Sequence, residues 1–173
     1  LDEFEAAADR VGPRTALISG DRSFTFAELD ERATRLANVL LASGIRRGDH
    51  IGIIAMNGHE WVECLLGAFK AGVVPINVNY RYTADECRYL FDNADLVGLI
   101  YQDRYEQLVF DAGHAAPGLR LALRIETDAT HAQGERPDSV PEPRDYETEL
   151  AAAPTVRPTE GRSPDDLYIL YTG

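Results

Sequence analysis

Short apolar runs without polar alternation recur along this chain, and each leads into a stretch carrying its own helix start and stop signals. Residues 50–55, 73–76 and 96–101 are such runs. A strand that is apolar without alternation is buried on both faces. The helix starts are capping boxes: Thr25-x-x-Glu28 and Thr83-x-x-Glu86, with Asn57-x-x-Glu60 as a similar pair. In a capping box the first side chain accepts from the third helical amide while the Glu reaches back, and the cap is typically worth ~1 kcal/mol. Gly44 and Gly72 stand where the first two helices should stop, as left-handed caps do. Strand, capped helix, strand in repetition indicates right-handed βαβ units. The expected fold class is therefore α/β, a mainly parallel sheet flanked by helices. A (β/α)₈ barrel would need more chain than 173 residues.

An N-terminal β-hairpin precedes these units. Residues 15–26 read as two strands with Gly20-Asp21 in the turn. The helix that follows carries Leu29, Ala33, Leu36, Ala37 and Leu40 on one face. The second helix carries Trp61, Leu65, Ala68 and Phe69, and the third Cys87, Leu90 and Phe91. The strand over 73–76 is too short and apolar to be an exposed edge unless Pro75 marks its end. A helix over 103–111 and a strand over 119–125 complete the pattern. From 126 to 166 the pattern lapses into an acidic, proline-punctuated surface excursion with one short helix near 145–152. Ser163-Pro164-Asp165-Asp166 reads as a helical turn with Ser163 as its cap. The expected organisation is 1–48 hairpin plus helix, 49–125 βαβ units, 126–166 excursion and 167–173 a final strand.

Charge and cysteine usage exclude several functions. A net charge of −12 opposes non-specific nucleic-acid binding, which rests on basic residues. Any polyanionic ligand must be met by backbone amides or a few arginines. No apolar run approaches the ~20 residues of a membrane helix, and no basic, apolar leader opens the chain. Cys64 and Cys87 fall on predicted helices without zinc spacing and read as reduced core residues of a cytoplasmic protein. His50, His59, His114 and His131 are scattered, so no metal site is expected. Lys70, the only lysine, reads as a last-turn residue beside a helix C-terminus.

Generic fingerprints fail. There is no Gly-rich Walker loop, no G-x-G-x-x-G after a strand and no G-x-S-x-G elbow. Asp165-Asp166 reads as turn solubility rather than a catalytic dyad. The informative segment is 167–173, an apolar strand ending in Thr172-Gly173. A strand that ends so is a common lead-in to a phosphate-wrapping loop. Hydroxyl and backbone N–H groups approach phosphate oxygens there, and glycine lets the backbone come close. The segment is expected to lie centrally in the sheet and to aim its tip at a triphosphate.

Longer blocks agree together. Ser23-Phe24-Thr25-Phe26-Ala27-Glu28-Leu29, then Gly44-Ile45-Arg46-Arg47-Gly48-Asp49-His50-Ile51, then Ala68-Phe69-Lys70-Ala71-Gly72-Val73-Val74-Pro75-Ile76-Asn77 resemble the opening of the adenylate-forming superfamily of AMP-dependent synthetases and ligases. The stretch from Asp165 to Gly173 resembles the strand and first residues of its ATP loop. Val74 to Tyr82 and Tyr171-Thr172-Gly173 are most like fatty-acyl or sterol-type CoA synthetases. The resemblance implies the N-terminal portion of a ligase domain that couples a carboxylate to coenzyme A with ATP and Mg2+. Only Thr172 and Gly173 match a ligand-binding motif, as ATP-loop residues. It assigns no catalytic residue here, and Lys70 is not the family's catalytic lysine. It further implies that the fragment alone is inactive, with no cofactor held tightly. Relatives cover the hairpin and first helix with later residues, so the Leu29/Leu36/Leu40 face is expected to be exposed and free to form a homodimer. The alternative is a non-catalytic α/β binding or interaction module. A dehydrogenase is opposed by the missing glycine fingerprint.

Overall fold

Two of the three helix starts form as the spacing dictates. In the computed structural model, which describes residues 1–127, 134–159, 163 and 165–171, the hairpin is β1 (Thr15–Ser19) and β2 (Arg22–Thr25). It turns at Gly20 with φ +58° and runs into α2 (Phe26–Ala42). Thr25 and Glu28 close a complete capping box. Thr83 and Glu86 do the same for α4 (Ala84–Asn93). Gly44 and Gly72 adopt φ of +79° and +67°, ending α2 and α3 (His59–Lys70) as expected. The third start differs. Gly58, not Asn57, is the N-cap of α3, and no side chain caps it. Glu60 turns instead toward the ring of its neighbour, with Oε2 3.2 Å from His59 Nδ1. A further helix, α1 (Asp2–Val11), precedes the hairpin and was not anticipated.

The remaining elements are β3 (His50–Ile54), β4 (Val74–Asn77), β5 (Leu96–Gln102), α5 (Glu106–Ala112), β6 (Leu121–Ile125), β7 (Arg144–Asp145), α6 (Tyr146–Ala152) and β8 (Ile169–Leu170). The predicted helix over 103–111 divides into a 3-10 turn at Asp103–Tyr105 followed by α5. Among the described residues the main sheet has the order β7-β6-β5-β3-β4-β8, and every neighbouring pair is parallel. The α/β fold with a small antiparallel hairpin is thus the observed one.

Side-chain alternation along the buried strands feeds two cores, one per face. Ile51, Ile53, Leu121 and Leu123 pack with Leu36, Leu40 and Cys64 on one face. Ile54, Ile76, Leu99 and Tyr101 pack with Cys87, Leu90, Phe91 and Val109 on the other. Both cysteines are free and buried. Leu29, Leu36 and Leu40 are 3%, 0% and 0% exposed. The face expected to be open for a homodimer is therefore covered by the chain itself, because α3 and α6 lie against α2.

Pro75 sits within β4. The Val74 and Val78 amides donate to Asp49 and Ile53 oxygens, toward β3. By strand alternation Pro75 presents its missing N–H to the opposite side. There β8 pairs only from Ile76 onward, so no ladder bond is lost.

The excursion after β6 is less superficial than its composition suggests. Val140, Tyr146 and Leu150 are buried, and α6 is capped by Asp145, whose Oδ1 accepts from Thr148 N at 2.7 Å. Arg35 of α2 donates to the oxygens of Leu150, Ala151 and Ala153, satisfying the end of α6. Asn38 then holds the Pro154 and Val156 oxygens at 2.9 and 3.0 Å, strapping the chain across α2.

Candidate functional site

In an open parallel sheet, ligands bind outside the carboxyl ends of the strands where the strand order reverses. That point lies between β3 and β5: the chain leaves β3 toward β4 on one side and returns to β5 on the other. Gln102, buried at the end of β5, accepts from the Met56 amide at 3.2 Å and ties the two strand ends together. Arg104 Nη1 lies 3.3 Å from Met56 Sδ. Beyond β4, Asn79 Oδ1 accepts from Arg81 N at 3.0 Å, a side-chain turn that aims the following residues. The Arg81 guanidinium lies 5.4 Å from the Tyr80 ring centroid, and Tyr80 meets Tyr105 at 6.2 Å. Met56, Tyr80, Arg81 and Arg104 are exposed. This rim offers aromatic faces beside two guanidinium groups. Such a surface can stack a planar ring and donate to anionic oxygens.

The last strand reaches the same end of the sheet from the β4 side. It is parallel as expected, but it is an edge strand among the described residues, not a central one. Its ladder covers only Ile169 and Leu170, shorter than the predicted 167–173. Leu167, Tyr168 and Leu170 are each more than half exposed. Tyr171 donates from its hydroxyl to Asn93 Oδ1 at 2.8 Å. Burial, then the neighbouring Tyr89 and Asp95, push the Tyr171 phenol pKa up. Thr172 and Gly173, the predicted ATP-loop residues, lie outside the described residues, as does Pro164 of the predicted turn.

Other polar clusters are structural. Lys70 does end α3, yet it is fully buried, bonded to Glu5 of α1 and at 2.8 Å to Asp30 of α2. Arg157 of the strap reaches Asp30 at 2.9 Å and Asp9 at 2.8 Å. The Arg157 hydrogen bond holds the Asp9 carboxyl below its ordinary pKa. Arg32 bridges Glu63 and Glu147, and Tyr146 donates to Glu63 at 2.9 Å. Burial pushes the Cys64 thiol well up and the Cys87 thiol to about 11, so neither is a nucleophile at neutral pH. Among the described residues no group of three or more His, Cys, Asp or Glu could hold a metal ion.

Two open clefts, of about 630 and 540 Å3, lie elsewhere. Their linings include Phe69 and Asp166 in one, and Arg46, Arg47 and Ala71 in the other. Both open at the amino ends of β3, β4 and β8, opposite the rim. Cavity size and site chemistry thus point to different ends of the sheet. The rim carries the converging side chains and the change of strand order, so it is the candidate site.

The family model described as AMP-binding enzyme matches residues 4–173. A 3-oxocholest-4-en-26-oate–CoA ligase of Rhodococcus rhodochrous is 41% identical over 172 residues, 99% of this chain and 30% of the relative. A medium/long-chain-fatty-acid–CoA/3-oxocholest-4-en-26-oate–CoA ligase of Mycobacterium tuberculosis H37Rv is 38% identical over the same shares. Among solved structures, the anthranilate CoA ligase AuaEII in complex with anthranoyl-AMP superposes with a TM-score of 0.81 at 20% identity, over 99% of this chain and 30% of that one. The N-terminal domain of FACL13 from Mycobacterium tuberculosis gives 0.78 at 24%, over 98% and 40%. These two likenesses concern the fold. The chain spans under a third of the length of these curated relatives. With the family match running nearly end to end, the chain belongs to the AMP-binding enzyme family and covers the N-terminal part of its relatives.

Proposed function

We propose that this chain is the N-terminal portion of an ATP-dependent acyl-CoA synthetase. The observation that carries the reading is the identity of 41% and 38%, over 99% of the chain, to ligases of fatty and cholestenoic acids. In the proposed reaction a carboxylate oxygen attacks the α-phosphorus of ATP, and pyrophosphate leaves with the bonding electron pair. The coenzyme A thiolate then attacks the acyl carbon, and AMP leaves. Positioning and charge neutralisation dominate the first step. The described part of the chain contributes the scaffold for it. β8 runs parallel to β4 and delivers Tyr171 toward Thr172 and Gly173, whose hydroxyl and N–H would meet phosphate oxygens. A fatty or sterol-derived acid fits both the motif reading and the names of the relatives. No helix among the described residues is long and apolar enough to cross a membrane, and we take the enzyme to be cytoplasmic. The organisation into 1–48, 49–125, 126–166 and 167–173 is retained within this proposal. No observation favours a free-standing binding module.

Two tests apply. The 173-residue chain with ATP, palmitate and labelled pyrophosphate should give no ATP–pyrophosphate exchange. Clear exchange would refute the proposal that this portion alone is silent. The codons after Gly173 should read on into a Ser/Thr/Gly-rich loop followed by Pro-Lys. A native stop codon there would favour the module instead.

A further inference from the structure

Among the described residues strand β8 has a ladder too short to fix its own place. It pairs with β4 at Ile76↔Ile169 and Asn77↔Leu170, whereas strands usually run for about 3–10 residues. The chain just before it supplies a firmer hold. Asp166 Oδ2 accepts from Ser163 N at 2.6 Å, and Asp166 N donates to Ser163 O at 3.0 Å, closing a turn. The other oxygen, Oδ1, pairs with Arg47 Nη2 at 2.8 Å, and the Asp166 side chain is only 13% exposed.

Arg47 makes this pair a reference point. It lies in the loop between α2 and β3. That loop is bonded to the start of β4: Gly48 N donates to Gly72 O at 2.9 Å, and Val74 N donates to Asp49 O at 2.9 Å. The segment entering β8 is thus tied to the loop that also fixes where β4 begins. Asp165, the neighbouring acid, is exposed. The two acids, alike in sequence, occupy different environments.

We propose that Asp166 is a positioning residue: through Arg47 it sets the register at which β8 joins β4, and so the path on which the chain leaves Tyr171 toward Thr172 and Gly173. The functional consequence, placement of a nucleotide loop, rests on the proposed function. The register clamp itself does not. An isolated solubilising acid would leave β8 unaffected when removed.

Hydrogen exchange read by mass spectrometry on the 173-residue chain tests the clamp. Peptides over 167–171, β3 and β5 are compared in the unsubstituted chain, Asp166→Ala, Arg47→Met, the charge swap Arg47→Asp with Asp166→Arg, and Asp165→Ala. Both single losses should speed exchange in 167–171 on the order of tenfold while β3 and β5 stay protected. The charge swap should recover much of the protection, and Asp165→Ala should change nothing. Unchanged exchange in Asp166→Ala, or equal acceleration in β3 and β5, would overturn the clamp. In a polypeptide continuing past Gly173, Asp166→Ala should raise the KM for ATP more than it lowers kcat. Absence of ATP–pyrophosphate exchange in that polypeptide before any substitution would overturn the nucleotide reading while the exchange data still decide the clamp.

Discussion

Strands β3 and β5 pair from His50 to Ile54, with one register shift between His50 and Ile51, and lie between two apolar layers, whereas among the described residues β8 pairs at Ile169 and Leu170 and leaves Leu167, Tyr168 and Leu170 exposed. The centre is held by burial, a non-directional force proportional to area. The β8 edge is held by directed contacts at its ends, Asp166 with Arg47 before it and Tyr171 with Asn93 after it. Burial gives rigidity but cannot easily be rearranged. Side-chain anchors fix a register with few atoms. Between these extremes lies the Lys70 cluster, directed contacts placed inside the protein.

This contrast can be broken at several strengths. Lys70→Met should have the largest effect, about 3–5 kcal/mol in denaturant unfolding, because Glu5 and Asp30 would lose the fully buried one of their two cations and keep only the more exposed Arg157. Leu36→Ala, in the fully buried core, should cost about 2–5 kcal/mol. Leu170→Ala on the exposed edge should stay within about 0.5 kcal/mol. Equal losses for the two leucines would remove the distinction between centre and edge. Thr25→Ala should cost about 1 kcal/mol through its capping box, and Asn57→Ala, which caps nothing, should stay within about 0.5 kcal/mol.

The smallest effect concerns pH. His59 is buried against Phe24, and its Nε2 lies 3.1 Å from Arg22 Nη1. Arginine only donates, so Nε2 accepts and the proton sits on Nδ1, facing Glu60. Burial first, and the cations Arg22 and Arg32 after it, lower the His59 pKa below 6.5, against the opposing pull of Glu60 and Glu63. The unfolded chain therefore binds the proton first as pH falls. This contribution is full above about pH 6.5 and is lost below it. Thermal melts between pH 7.5 and 5 should show a smaller decline for His59→Gln than for the unsubstituted chain.

What the sequence made legible was local. The capping boxes at Thr25 and Thr83, the glycine stops and the buried strands all rest on neighbours within a few residues, and they form as read. The misreadings concern distant partners. Lys70 is 65 residues from Glu5 and 40 from Asp30, so spacing rules could not reveal why a lysine is buried. The Leu29, Leu36 and Leu40 face looked unpartnered because its covers, α3 and α6, come from later segments. Asn57 failed as a cap because helix α3 begins one residue further on, at His59 after Gly58. Of the candidate site, the strand leading to Thr172 was legible from composition, but its place at the edge among the described residues was not, since strand order is set by crossovers and not by apolarity. The rim of Met56, Tyr80, Arg81 and Arg104 was missed as a group; the change of strand order that gathers it has no signal in any single segment.

The most direct test joins this chain to the polypeptide encoded after Gly173 and supplies ATP, Mg2+, coenzyme A and either palmitate or a cholestenoic acid. Mass spectrometry should find the acyl-adenylate when coenzyme A is withheld and the acyl-CoA thioester when it is present. Failure to form either product from any carboxylate, by a folded protein that continues past residue 173, would contradict the account.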